Sequence, residues 1–281
     1  MIYKEKINDK LTDVANAGNQ HFLNVYKAVF YTIQNTESTA LLDYKKAVKS
    51  ARAVIDKDSG PPKQITGDPV TLLTHALEIK ERYETVMTNL INKIIATNET
   101  ISKGDIRFTA APVKKLQRVV EKSMLKPTIP GDASRTFDIV RGMVICKNVN
   151  IIEKLVNALT GLHKQGKIKR VRLKDRFNNP SAGGWRDYMD NIIICGDKNM
   201  HICELQIVHD TMIVARKGLP GHVVYGKQRN ANEISSLYVE CLIAKCKNIA
   251  LCLSLSFYLF TISYTHNIHT HTHTHNIHTH T

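Results

Sequence analysis

The spacing of apolar and polar residues divides the chain into a helical first part and a second part in which strands and helices alternate. Apolar residues recur at helical spacing through residues 1–56. The same spacing returns after Pro69, which follows Asp68 at the position of a helix cap. Stripes of this kind are typical of helices that pack against a core. The pattern therefore predicts a helical N-terminal region over residues 1–108.

Short apolar runs after residue 108 have the length and composition of β-strands. They occupy residues 136–146, 168–174, 191–195 and 200–209, and helices are predicted over 112–126, which is basic, and 149–164, which is amphipathic. A strand, a helix and a second strand at this spacing predict a right-handed βαβ unit. We therefore expect an α+β domain, a mixed β-sheet flanked by helices, over residues 109–247.

The strand predicted at residues 168–174 alternates between two sets of side chains, as a half-exposed strand does. Successive side chains of a strand point to opposite faces of the sheet. The alternation therefore predicts that Arg170, Arg172 and Lys174 share one face.

Charged residues interrupt two of the apolar runs. Asp138 and Arg141 lie in the first run, and Glu204 lies in the last. A buried charge is costly unless it is paired or binds a metal. Asp138 and Glu204 are therefore either salt-bridge partners of Arg141 and Lys174 or members of a functional site.

The stretch from residue 174 to residue 206 gathers the remaining candidate groups. The basic end of a strand is followed by a turn that contains Asn-Asn-Pro and Gly-Gly. Directly after the turn come Trp185, the only Trp of the chain, and Arg186. Basic groups, an exposed aromatic ring and an isolated carboxylate suit a phosphorylated ligand that carries a ring.

Composition sets limits on size, binding partners and cellular compartment. The 281 residues suffice for one large domain or two small ones, and 43% of them are hydrophobic. A formal net charge of +14 favours polyanions such as nucleotides, nucleic acid or an acidic membrane, or serves solubility alone. The six cysteines form no CxxC pair, which indicates a reducing compartment. No signal-peptide pattern is visible, and we expect a cytoplasmic location.

The segment over residues 248–281 differs in kind from the rest. Residues 248–264 carry no charge, and His-Thr alternation follows to the last residue. Such alternation is what a CA dinucleotide repeat encodes, so we interpret the segment as a low-complexity extension. A membrane anchor over 248–264 is the alternative, although the run is shorter than the ~20 residues of a spanning helix. Adventitious metal binding by the histidines is a further alternative.

A set of short motifs occurs in order between residues 109 and 229. It consists of Lys122-Ser123-Met124, Asp138, Lys174-Asp175-Arg176, Asn179-Pro180, Gly184-Trp185-Arg186, Glu204-Leu205-Gln206-Ile207, Met212, Gly221-His222 and Tyr225. The ordered set resembles the RelA/SpoT-type (p)ppGpp synthetase domain, which has a nucleotidyltransferase-like fold. The resemblance covers less than half of the chain.

The resemblance implies a reaction and a set of roles. In that family a diphosphate passes from ATP to the 3′-hydroxyl of GDP or GTP, with Mg²⁺ as cofactor. By resemblance Asp138 and Glu204 are the metal ligands and catalytic residues, and Trp185 stacks on guanine. The residues assigned to nucleotide binding are Lys122, Lys126, Arg141, Lys174, Arg176, Trp185, Arg186, Gln206, His222 and Tyr225. The sequence leaves open whether the chain forms a homo-oligomer.

The sequence departs from the family pattern near these motifs. Ser181 stands where the family has Lys, Met189 where it has His, and Val208-His209 where it has Arg-Thr. The loss of phosphate ligands leaves two alternatives open. One is a catalytically decayed module that still binds a nucleotide, and the other is transfer of pyrophosphate to an RNA 3′ end.

Overall fold

The computed structural model describes residue 20 and residues 22–56, 60–124, 131–181 and 183–218, all within one structural unit, Met1–Lys227. The helices are α1 (22–36), α2 (Ser38–Ala53), α3 (Pro69–Ala96), α4 (Leu116–Met124), α5 (Val149–Lys164) and α6 (Asp210–Gly218). The strands are β1 (Ile106–Ala110), β2 (Arg141–Cys146), β3 (Ile168–Asp175), β4 (Tyr188–Ile194) and β5 (Ile202–His209). The predictions made for Lys126, His222, Tyr225 and residues 248–281 lie outside the described residues.

The strands form one sheet in the order β1-β2-β5-β4-β3. β2 and β5 run parallel, and the other neighbouring pairs are antiparallel. The predicted α+β class, a mixed sheet flanked by helices, is confirmed. The predicted hairpin turn joins β4 to β5, and Gly196 supplies its positive φ of 83°.

Local sequence signals explain where two of the helices begin. The Asp68 carboxylate accepts a hydrogen bond from the Thr71 amide at 2.7 Å, directly before Pro69. Asn148 caps α5 in the same way, since its side chain accepts from the Ile151 amide at 3.0 Å. Among the residues that the structure describes, no helix has both the length and the apolar character needed to cross a bilayer.

The two faces of the sheet differ in their surroundings. Along β2, Gly142, Val144 and Cys146 are buried, whereas Arg141 and the other intervening residues are half-exposed. Helix α5 packs on β2, β3 and β5, and α2 packs on α5. We call the face that bears Val144 the covered face, and the face that bears Arg141 the polar face.

β1 is a strand that the apolar pattern does not predict. The apolar run over residues 136–146 predicts a strand from residue 136, but β2 starts only at Arg141. The backbone before it is held by a side chain instead of a strand: Gln64 donates from Nε2 to the carbonyls of Thr136 and Ile202, both at 3.1 Å. Pairing with β5 begins only where the Glu204 amide donates to the Val140 carbonyl at 2.9 Å. Asp138 therefore lies in the connection before β2.

The prediction that Arg170 and Arg172 share a face is wrong. Arg170 pairs with Ile192 of β4, and Arg172 pairs with Asn191, the residue next to it. The register shift between them is a β-bulge, in which one strand carries an extra residue. The extra residue reverses the alternation, so Arg170 lies on the covered face and Arg172 on the polar face.

Candidate active site

A line of polar side chains crosses four strands of the polar face. Arg141 of β2 is the register partner of Glu204 of β5, which pairs with Asn191 of β4, which pairs with Arg172 of β3. Directly paired residues point to the same face. The Asn191 Oδ1 accepts from Arg172 Nε at 2.8 Å, and Glu204 Oε1 accepts from Gln206 Nε2 at 2.9 Å. We call Arg141, Glu204, Asn191 and Arg172 the polar row.

Three cations surround the Asp138 carboxylate at the edge of the polar row. Lys122 Nζ lies 2.8 Å from Oδ1, Lys114 Nζ bonds Oδ2, and Arg141 Nη1 lies 3.8 Å from Oδ2. Burial by itself raises the pKa of Asp138, but the charges of Lys122 and Lys114 outweigh it and hold the pKa well below its usual range. Asp138 is therefore a carboxylate at neutral pH.

Arg172 connects the two carboxylates. Its guanidinium interacts electrostatically with both Glu204 and Asp138. It also lies 4.7 Å from the centre of the Phe137 ring, which brings the connection before β2 against β3. Asp138 and Glu204 are therefore associated with one cleft on the polar face, although only Glu204 lies on a strand.

The cations of this cleft outnumber its carboxylates. Burial lowers the pKa of Lys174, and the charges of Arg172 and Arg176 lower it further. Burial likewise lowers the pKa of Arg172, with a smaller effect from Arg176. Cations that repel one another in this way bind anions strongly, and phosphate groups are the anions that such clusters recognise in proteins.

Trp185 lies at the end of this cleft in a half-buried position, and not exposed as predicted. Gly184 has a φ of 81°, and its α-carbon comes so close to Leu23 that a side chain there would collide with the α1 backbone. The Trp185 ring meets Tyr26 edge-to-face at 5.3 Å, and the Arg216 guanidinium lies 5.0 Å from its centre. Stacking of the ring on a purine stays a prediction.

Two predicted phosphate-binding arginines are engaged in different ways. The Arg186 guanidinium lies 4.0 Å from the Phe30 ring centre and donates to the Phe177 carbonyl, so its contacts are with the core. Arg176 Nη1 lies 3.1 Å from Asp187, whose Oδ2 also accepts from the Trp185 indole at 2.9 Å. Arg176 is thus linked to the Trp185 end of the cleft, whereas Arg186 supports the turn.

The structure adds three residues that the motifs did not single out as site residues: Lys114, Arg172 and Asn191. A sequence signal existed for each of them. Arg172 belongs to the alternating basic strand, and Asn191 is an isolated amide before an apolar run. Lys114 belongs to the basic helix predicted over 112–126, but it precedes α4, and no local pattern encodes its contact with Asp138 across 24 residues.

The two carboxylates could bind a divalent cation whose remaining coordination positions are filled by other ligands. Within the described ranges, no cluster of three or more His, Cys, Asp and Glu side chains could hold a metal. Mg²⁺ in phosphate-transfer sites is bound by one or two carboxylates together with substrate phosphates. Asp138 and Glu204 match that donor set, provided that the phosphates supply the remaining oxygens.

Comparisons with known proteins give only structural similarities. No protein-family model and no curated protein sequence matches the chain. Small alarmone synthetase 1 from Bacillus subtilis, bound to its product pppGpp, is similar at a TM-score of 0.41 and 16% identity, over 63% of this chain and 95% of that chain. Small alarmone synthetase 2 from the same organism has a TM-score of 0.38 and 18% identity, over 63% and 97%.

A third solved structure is a GTP pyrophosphokinase family protein from Streptococcus pneumoniae. Its TM-score is 0.38 and its identity 17%, over 60% of this chain and 88% of that chain. At such low TM-scores and identities these similarities carry no argument about the activity of this chain, for which the geometry of the site is the support.

Proposed function

We propose that the chain transfers a diphosphate group from ATP to the 3′-hydroxyl of GDP or GTP, with Mg²⁺ as the cation. The observation that carries the proposal is the cleft of the polar face, where Asp138 and Glu204 are associated with a surplus of cations. Phosphoryl-type transfer depends mainly on positioning and on neutralising charge. The ordered motifs supply the choice of donor and acceptor.

The reaction exchanges one phosphorus–oxygen bond for another. The 3′-oxygen of the acceptor bonds to the β-phosphorus of ATP, the bond from that phosphorus to the α,β-bridging oxygen breaks, and AMP leaves. Glu204 accepts the hydroxyl proton or orients the hydroxyl, because its carboxylate lies in the middle of the polar row. When bound, Mg²⁺ would neutralise the phosphate oxygens between the two carboxylates.

The chain's own cations then hold the phosphates. Lys122 and Lys114 lie at the Asp138 end of the cleft, and Arg172 and Lys174 lie along β3. Each would donate charge-assisted hydrogen bonds to phosphate oxygens, which are stronger than neutral ones. Gln206 holds one oxygen of Glu204 and so sets the direction of its carboxylate.

A nucleotide-binding module without turnover is the second candidate function. Met189 is buried in the β4 position next to Gln206 of β5, where the resembled family has a His. A thioether supplies no strong hydrogen bond to a phosphate. This substitution favours a site that binds a nucleotide without transferring its diphosphate.

Incubation with ATP radiolabelled in its γ-phosphate, Mg²⁺ and one acceptor at a time tests the proposal. The acceptors are GDP, GTP and an RNA oligonucleotide with a 3′-hydroxyl. We expect a labelled 3′-diphosphate product with GDP or GTP and its loss in Glu204→Gln, while Glu81→Gln, an exposed carboxylate of α3, keeps full activity. Nucleotide binding without any product would favour the binding module, and full activity of Glu204→Gln would refute the role of that residue.

A further inference from the structure

The Asp138 carboxylate already has partners from the protein itself. Lys122 lies against one oxygen at 2.8 Å, and Lys114 bonds the other. The side chains of Asp138 and Lys114 are only 19% and 13% exposed, so water competes weakly with this pairing. A cation from solution would have to displace an ammonium group to reach either oxygen.

The charge of the cluster also opposes a bare cation. Lys114, Lys122 and Arg141 carry three positive charges, whereas Asp138 and Glu204 carry two negative charges, and Arg172 and Lys174 add to the surplus. A free divalent cation is repelled by such a cluster. A nucleoside triphosphate that carries a divalent cation still has net negative charge and is attracted.

We propose that Lys114 and Lys122 are exchangeable counter-ions of Asp138. In the nucleotide-free protein they hold the carboxylate. When nucleotide phosphates enter the cleft together with a divalent cation, the two ammonium groups move to phosphate oxygens, and Asp138 is released to the cation. The inference rests on the proposed function for its ligands, and it adds the order of binding: the cation enters with the nucleotide and not before it.

The local structure allows this exchange without movement of the backbone. The Lys114 amide donates to the Ile139 carbonyl at 3.1 Å, which ties the segment before α4 to the segment that carries Asp138. Lys122 belongs to α4, and its side chain is 36% exposed. A lysine side chain is a point charge on a flexible stem and can reach a second partner by rotation alone. Lys122, as the more exposed of the two, is the one expected to leave first.

Thermodynamic linkage follows from the exchange. If the cation is excluded until phosphates withdraw the ammonium groups, nucleotide must tighten cation binding, and the cation must tighten nucleotide binding by the same factor. Removal of an ammonium group should therefore allow the cation to bind without nucleotide.

Binding of Mn²⁺, a paramagnetic probe for Mg²⁺, to the full chain in the absence of nucleotide tests the inference. We expect weak binding to the unmodified protein and binding about tenfold tighter or more in Lys114→Met, a size within the usual range of couplings between sites. Lys115→Met, which removes the same charge from the exposed neighbouring residue, should leave Mn²⁺ affinity unchanged. Lys122→Met serves as a second variant if Lys114→Met fails to fold.

Two further measurements complete the test. A non-hydrolysable ATP analogue should raise the Mn²⁺ affinity of the unmodified protein, and Asp138→Asn should remove the gain seen in Lys114→Met. Tight Mn²⁺ binding to the unmodified, nucleotide-free protein that Asp138→Asn abolishes would overturn the inference, as would a gain in Lys114→Met that survives Asp138→Asn. A chain that shows this coupling but forms no 3′-diphosphate product keeps the inference and loses the proposed transfer. If product forms but nucleotide and cation do not tighten each other's binding, the proposed transfer is kept and the inference about Lys114 and Lys122 is lost.

Discussion

Arg170 and Arg172 lie two residues apart on β3 and serve opposite faces of the sheet. Arg170 pairs with Asp190 at 2.6 Å on the covered face, where both side chains are 0% exposed, and it also donates to Thr160 and Tyr188. Arg172 lies half-buried on the polar face, where it bonds Asn191 and interacts with the carboxylates of the cleft. One extra residue in the strand places Arg170 in a buried ion pair and Arg172 in the cleft of the polar face.

The difference between these faces lies in the balance and accessibility of their charges. On the covered face one guanidinium meets one carboxylate, and α5 supplies a further hydrogen-bond partner from Thr160. On the polar face several partly exposed cations share two carboxylates. A buried ion pair offsets the cost of its desolvation only when its geometry and its additional hydrogen bonds are good. An unmatched, accessible cluster is available to a ligand.

Removal of one carboxylate from each face should give the largest difference between the covered face and the polar face, measured as the loss of unfolding free energy. Asp190→Ala leaves the Arg170 charge buried and unpaired, which costs about 3–5 kcal/mol of unfolding free energy. Asp138→Ala should cost less than this, because Lys122 and Arg141 are partly exposed and can return to water, although Lys114 loses its partner in a mostly buried position. Urea unfolding of both variants measures these losses, and equal losses would remove the distinction between the faces.

Acid should weaken the protein through the buried His201 before it affects Asp138. Burial lowers the pKa of His201 to about 4, and the charge of Asp197 offsets only part of this effect. Above the ordinary value near 6.5 the ring is neutral in both the folded and unfolded states. Below it only the unfolded chain takes up the proton, so stability falls by about 3 kcal/mol until about pH 4.

Unfolding measured at pH 7.5, 6 and 4.5 checks this acid dependence. His201→Gln has no titrating ring at that position, so its stability should decline less over the same range. The Asp138 carboxyl stays ionised throughout, because its pKa is held well below this window. A variant that loses stability as steeply as the unmodified protein would show that another group causes the acid dependence.

Neutralising Arg172 should affect binding more than stability. Arg172→Met removes a charged donor from the polar row, and we expect nucleotide affinity to fall by about 1.5–3 kcal/mol, or ~10–150-fold. Lys164→Met, an exposed residue at the end of α5, makes the same change in net charge and should leave affinity unchanged. Calorimetric titration with GTP compares the two, and equal losses would mean that overall charge alone attracts the ligand.

The smallest expected effect concerns the ring at the end of the cleft. Trp185→Ala should weaken binding of a guanine nucleotide by ~1–3 kcal/mol if the ring stacks on the base. Fluorescence competition with GDP measures the change, and circular dichroism checks that the contacts with Tyr26 and Arg216 are not needed for folding. Unchanged affinity would assign Trp185 to packing alone.

Much of the fold could be predicted from local patterns. An apolar stripe and a cap residue located α3, an amphipathic pattern located α5, and apolar runs separated by turn residues located β3, β4 and β5. These signals act between neighbours in the chain, so they are readable without knowledge of the partners. The ordered motifs also placed Asp138, Glu204, Lys122 and Arg141 in one site, and the structure brings these four together.

Only the tertiary structure decided how those residues are used. The bulge in β3 sent Arg170 and Arg172 to opposite faces, Gln64 drew the segment before β2 out of the sheet, and Lys114 reached Asp138 from a separate segment. Each of these contacts depends on strand register or on a partner distant in sequence. The periodicity of a sequence specifies which residues alternate, but the face on which each one lies follows from pairing across the whole sheet.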